Sequence, residues 1–182
     1  MTIQKFRTFD LIILTVIAVI LDIVVGLFGF FSIQLFMAIS FPIIMLCYIR
    51  WHVYGIIPNV IISIAHLLIH NDPEISFMIV LIHAFSVLAW SLTLLMIKYK
   101  PFKKKKLTYG NASLMFLIIY IVMITIEWIL LSLFNQPITY LNQLLNHTLN
   151  LIVGLGLTVI IAYQKDLMVD MKIYLMEKEK GN

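Results

Sequence analysis

Charge is what this sequence has least of. Only 12% of its 182 residues are Asp, Glu, Lys or Arg, while 62% are apolar. A soluble domain carries about 25% charged residues. With roughly half of that, the chain cannot cover a water-facing surface, and a soluble globular domain is excluded. Cysteine is nearly absent too. The single Cys47 excludes an internal disulfide framework and any CxxC metal site. The seven glycines are scattered. None belongs to a G-x-x-x-x-G-K-[ST] loop, so ATP hydrolysis, if the function needs it, comes from a partner. There is no H-E-x-x-H signature and no nucleophile–base arrangement on one face, which points to binding without catalysis.

Long apolar runs are what the sequence has instead. Six can be read between polar breaks, at about 10–31, 34–49, 53–69, 75–98, 112–134 and 138–163. A spanning helix needs about 20 residues, with a range of roughly 17–25. The second and third runs are short and flank Arg50-Trp51-His52, a hinge too costly to leave at the membrane centre. Two short helices are therefore expected there, because one long span would bury the arginine. The runs lack the ten-residue alternation of a membrane β-barrel. The expected fold is an all-α integral membrane protein, a bundle of six transmembrane helices. Residues 1–164 form the membrane domain and 165–182 a charged cytoplasmic tail.

The basic residues set an expected orientation. All thirteen Lys and Arg fall in four places: Lys5 and Arg7; Arg50; Lys98, Lys100 and Lys103 to Lys106; and Lys165, Lys172, Lys178 and Lys180. These are the two termini and the even loops. The positive-inside rule then predicts a multi-pass protein of the cell membrane, N-in and C-in. It also explains the formal charge of +4 without a nucleic-acid partner. The Lys103–Lys106 run reads as a topology anchor near anionic lipid. Residues 1–31 are too long and lack an A-x-A-like site for a cleaved signal, so they read as a retained first helix.

Ionisable groups inside a membrane are expensive and by default mark function. Those here are Asp22, His66, His83, Glu127 and His147, with Asn142, Asn146 and Asn150 beside them. On the expected topology all fall in the outer halves of their helices. A proton relay needs groups at several depths, whereas a pocket open to the outside needs them at this one. In the sixth run, positions 142, 146, 150, 154, 158 and 162 read Asn, Asn, Asn, Gly, Thr, Ala. Residues four apart share a helix face, so the outer part of that face offers amides to a ligand and the inner part allows close packing. Glu127 needs a cationic or hydrogen-bonding partner, supplied by a ligand or by His83 or His147. Trp90, Trp128 and Tyr140 are rings on which a flat ligand can stack. Thr15, Ala18, Asp22 and Gly26 form a stripe on the first helix suited to another helix, in this chain or in a partner. The three histidines on different helices also leave a metal site open as an alternative.

These features resemble the substrate-binding S components of energy-coupling factor (ECF) vitamin transporters. Ile39 to Arg50 looks like their second helix, an apolar run with proline entering a basic turn, and Tyr54-Gly55-Ile56-Ile57 like the start of helix three. Asn150-Leu151-Ile152-Val153-Gly154 is similar to the Asn-x-x-x-Gly region of helix six in the thiamine-binding member, whose asparagine contacts ligand. Glu127 falls near a helix-five ligand position. The resemblance implies a non-enzymatic subunit that captures a vitamin or related small nutrient. Its pocket would use Glu127, Asn146, Asn150, His83, His147, Trp128, Asn142 and Tyr140. It implies a transmembrane coupling (T) subunit and two cytoplasmic ATPase subunits that use the ATP, with no cofactor or metal in this chain. Many members dock that partner through Ala-x-x-x-Ala in helix one. Here Ala18 is followed four residues on by Asp22, and docking falls to Thr15, Ala18, Asp22 and Gly26. The competing reading is a membrane scaffold similar to the cell-shape protein MreD, which needs no polar pocket.

Overall fold

A computed structural model describes residues 2–27, 38–69, 76–99, 107–136, 138–164 and 167–180. They form eight helices: α1 (Ile3–Leu27), α2 (Ser40–Trp51), α3 (Ile56–Ile69), α4 (Phe77–Met96), α5 (Tyr109–Leu133), α6 (Tyr140–Asn146), α7 (Thr148–Tyr163) and α8 (Met171–Lys180). The middle of α4, Val87–Leu92, tightens to a 3-10 helix. Apart from one isolated bridge residue, Val169, the described residues contain no strand. Four stretches are long and apolar enough to cross a membrane: Ile3–Leu27, Ser40–Ile69, Phe77–Met96 and Tyr109–Leu133. The pair α6 and α7, bent by 49°, passes the same criteria together. Outward faces are apolar as well. On α1, Ile12, Val16, Ile20 and Val24 are exposed while Leu11, Thr15, Ala18, Asp22 and Val25 are buried.

The stretch Ser40–Ile69 doubles back on itself. Asn59 Nδ2 donates to Tyr48 Oη at 3.0 Å, and Ser40 Oγ lies 3.4 Å from His66 Nε2. Moving back along α2 thus means moving forward along α3, the pairing of an antiparallel hairpin. The two short helices expected on either side of Arg50-Trp51-His52 are present. His52 makes the reversal at φ 52°, ψ −124°, a backbone conformation that costs a non-glycine residue strain. Gly55 makes the return close: a Cβ there would stand 2.8 Å from Tyr48 Cα. Pro42 and Pro58 sit in the first turns of α2 and α3, where no intrahelical donor is lost.

α2 is the axis of the bundle, and all 12 of its residues are buried. It packs against α1, α3, the end of α4, α7 and α8. At its C-terminal end Arg50 grips Asp10 of α1 with two parallel bonds, Nε to Oδ2 at 2.8 Å and Nη2 to Oδ1 at 2.9 Å. Trp51 Nε1 donates to the same carboxylate, and Arg50 Nη1 donates to the Leu167 carbonyl at 3.0 Å.

Three features depart from the expected layout. α1 begins at Ile3, so its first polar turns are helical too. The sixth run is broken at His147. The tail is tied to the bundle: Met168, Val169 and Met171 are buried, Leu107 N donates to the Met168 carbonyl at 3.1 Å, and His52 Nε2 lies 2.7 Å from Asp170 Oδ2. Apolar residues spaced among the charges let this segment close the Arg50 end of the bundle.

Candidate functional site

At the end of the bundle away from Arg50, α1 to α5 and the α6–α7 pair each bring polar side chains to one buried layer. Asp22, His66, His83, Glu127 and His147, which the sequence places at similar depth, all meet here, and none is more than 1% exposed. The layer has two halves, joined by a face-to-face stack of His66 on His83 with ring centres 5.4 Å apart and planes 9° from parallel.

The first half is built around the N-terminus of α2. The first backbone N–H groups of a helix lack internal partners and carry partial positive charge. Asp22 Oδ1 accepts from Ile39 N at 2.7 Å and Ser40 N at 3.0 Å, and its Oδ2 lies 2.8 Å from His66 Nε2. Asn150 Oδ1 accepts from Ala38 N at 3.2 Å. Asp22 therefore caps the central helix, and Asn150 holds the residue that leads into it. The carboxylate is matched by a helix terminus and a short bond to an imidazole.

The second half is centred on Glu127. His83 Nδ1 stands 3.2 Å from both Glu127 oxygens, and His147 Nε2 is 3.5 Å from Oε2. Ser86 Oγ lies 3.2 Å from Oε2 and 2.7 Å from the His83 carbonyl, two acceptors for its one proton. One ligand atom each from His83, Glu127 and His147 lies within 4.8 Å of the others, close enough to share a metal ion. Tyr120 Oη is 3.0 Å from His147 Nδ1, and Gln143 Nε2 is 3.2 Å from His147 Nε2. Beneath lies an aromatic floor, with Phe41 stacked on Trp90 at 5.5 Å and Phe116 stacked on Tyr120 at 5.6 Å. No Lys or Arg approaches this layer among the described residues. Arg50, for example, is about 15 Å along α2 from Ser40 at 1.5 Å per residue.

The other expected site residues are placed less centrally. Asn146 is half-buried just before the bend, and Asn142 is exposed, its backbone N–H donating to the Thr139 hydroxyl that caps α6. The bend at His147 takes these two off the line of Asn150, Gly154, Thr158 and Ala162, all four of which are buried. Gly154 fits against the ring of Phe116 on α5, as the small half of that stripe predicts. Trp128 turns away from Glu127 and packs edge-on against Tyr140, with ring centres 5.4 Å apart and planes at 76°. Of the docking stripe, Thr15, Ala18 and Asp22 are buried under α2 and α3 of this same chain, and Gly26 is half-buried. That face is occupied from within, the first of the two alternatives the stripe allowed.

Tyr120, Gln143 and Ser86 belong to the site and were not anticipated. Each carried a signal in its spacing: Tyr120 lies two turns before Glu127, Gln143 one turn before His147, and Ser86 one turn after His83. No protein-family model, curated protein or solved structure matches this chain.

Proposed function

We propose that the chain is a membrane-embedded substrate-binding subunit of an ECF-type importer, capturing a vitamin or related small nutrient for ATP-driven uptake by partner subunits. The observation behind this reading is the Glu127 half of the polar layer. It is a carboxylate in an apolar bundle with imidazoles, a hydroxyl and an amide around it and no Lys or Arg among the described residues, which suits a ligand bearing a positive or donor-rich group. The partners are a transmembrane coupling subunit and two cytoplasmic ATPases. The proposed topology is six spans with both termini in the cytoplasm, supported by the basic residues gathering away from the polar layer. A cysteine at Lys98→Cys is then labelled by an impermeant reagent only after membranes are opened, and one at Phe134→Cys in intact cells. Cys47 is buried and does not interfere.

The deciding experiment is a thermal-shift screen of detergent-purified chain against B vitamins, their precursors and nucleobases, in buffer freed of metal by a chelator. A ligand at a hundredfold its dissociation constant adds about 2.7 kcal/mol. A single hit that disappears in Glu127→Ala supports uptake. A flat screen, with cell-wall proteins rather than ATPases co-purifying, favours the scaffold.

A further inference from the structure

Resting on the reading of this layer as a ligand site, we infer that His83, Glu127 and His147 bind a divalent first-row transition-metal ion, and that this ion is the positive group Glu127 is placed to meet. The argument begins with distances. Where a carboxylate in this protein meets a guanidinium or imidazole nitrogen elsewhere the bonds are short: 2.8 and 2.9 Å between Arg50 and Asp10, 2.8 Å between His66 and Asp22 and 2.7 Å between His52 and Asp170. Those are the lengths of charge-assisted hydrogen bonds. Around Glu127 the same atom types stand off at 3.2, 3.2 and 3.5 Å. Ligands held about 2.0–2.1 Å from a tetrahedral zinc ion lie about 3.3 Å from one another. The two edges that meet at Glu127 have about that length, and the third, between His83 and His147, lies within 4.8 Å.

Charge leads to the same place. Asp22 is answered by two backbone N–H groups at the start of α2. Glu127 has no helix terminus and no arginine or lysine beside it among the described residues, only imidazoles and a hydroxyl. An isolated charge in a dry interior is costly, and a divalent ion removes that cost while using both imidazoles as ligands.

The donor set and its supports fit. Two imidazoles and a carboxylate suit zinc and its neighbours rather than calcium or magnesium, which prefer all-oxygen shells. Ligating histidines normally use their second nitrogen to hold the ring in place, and His147 Nδ1 lies 3.0 Å from Tyr120 Oη. Three protein ligands leave a fourth position. Gln143, buried beside His147 Nε2, brings its amide to that side, and half a turn of the amide presents its oxygen. His147 sits at the 49° bend between α6 and α7, next to half-buried Asn146, the part of the site nearest the bundle end.

The test uses the full chain without a histidine tag, stripped with chelator, loaded with Zn2+, freed of excess and assayed by elemental analysis. About one zinc per chain is expected. Competition against a zinc indicator should show affinity falling at least about 100-fold in Glu127→Gln and in His147→Gln, and about 10-fold in Tyr120→Phe. Gel filtration and circular dichroism verify folding. Should one variant fail to fold, the other decides. No stoichiometric zinc on the native chain overturns the inference, as does equal affinity in native chain and folded variants. The chelated vitamin screen separates the two proposals: an organic hit without zinc binding keeps uptake and removes the ion, and zinc binding with a flat screen does the reverse.

Discussion

Asp10 and Glu127 are both carboxylates withdrawn into the bundle and met by nitrogen donors, one at each end of the molecule. Asp10 receives a permanent cation, Arg50, through two parallel bonds, with the Trp51 indole as a third donor. Glu127 receives two imidazoles and a serine, all at 3.2 Å or more. The first arrangement is complete, and it locks α1, the end of α2 and the Leu167 segment together. The second is unfinished in charge and loose in distance. A buried acid by itself therefore says little about function; the proposed reading of Glu127 turns on whether the protein supplies a permanent countercharge, as Arg50 does for Asp10.

The largest expected effect tests that difference directly. Breaking a buried ion pair by removing one partner typically costs about 3–5 kcal/mol, because the remaining charge is stranded. Arg50→Ala should fall in that range, towards its lower end because the Asp10 side chain is still 17% exposed. The matched change at the other end, Glu127→Gln, keeps the shape and removes a charge that had no cation. In chelated buffer it should move stability by less than about 1 kcal/mol, in either direction. Melting curves of both variants in one detergent measure the contrast. Equal losses would mean that Glu127 is as much a latch as Asp10.

The next effect concerns the hairpin that carries Arg50. Gly55→Ala pushes a methyl group to within 2.7 Å of the Tyr48 ring and 2.8 Å of its Cα. The backbone contact cannot relax by a side-chain rotation, so a loss of about 1–3 kcal/mol is expected. Gly110→Ala meets nothing within 4 Å and lies in the first turn of α5, so it should be neutral or stabilise by up to about 1 kcal/mol. A Gly55→Ala chain that melts like the native one would show that α2 and α3 do not pack as closely as described.

Much of this was legible in the sequence, for identifiable reasons. Long apolar runs make helices in lipid whatever their finer chemistry, and Arg50 had to interrupt one of them, so the hairpin was foreseen. The shared depth of Asp22, His66, His83, Glu127 and His147 was expected from their places within the apolar runs. Their division of labour did not. Which carboxylate caps a helix depends on where α2 begins, and a sequence does not show that Ile39 N and Ser40 N point at Asp22. The face assigned to Asn142, Asn146 and Asn150 assumed a continuous helix. The bend at His147 comes without Pro or Gly, and the His147 carbonyl keeps its bond from Leu151 N at 2.9 Å while also accepting from Tyr120 Oη at 3.3 Å, so no helix-breaking residue marks the break in the sequence. In the tail the charges drew attention from Met168, Val169 and Met171, which are buried against the bundle.

The smallest effects on stability should be the most informative about the site. Asn150→Ala removes the acceptor for Ala38 N and should cost about 1 kcal/mol, as losing a buried hydrogen bond does. Zinc affinity should fall by less than in Tyr120→Phe, because Asn150 reaches the Glu127 half through the Tyr120 hydroxyl and not through a metal-ligand atom. Tyr120→Phe deletes one oxygen from a buried ring. The ring's packing on Phe116 and Phe41 survives, so the loss in stability should be about 0.5–1.5 kcal/mol. That oxygen, however, holds His147 through Nδ1, and without it the imidazole is free to turn its other nitrogen away from Glu127. Zinc affinity should then fall about 10-fold, with a stability loss similar to that of Asn150→Ala. The pair forms a crossed test, in which the two variants lose similar stability while Tyr120→Phe loses more zinc affinity. If both variants lose stability and binding in proportion, the polar layer is a single structural network, and the boundary drawn at the His66–His83 stack is wrong.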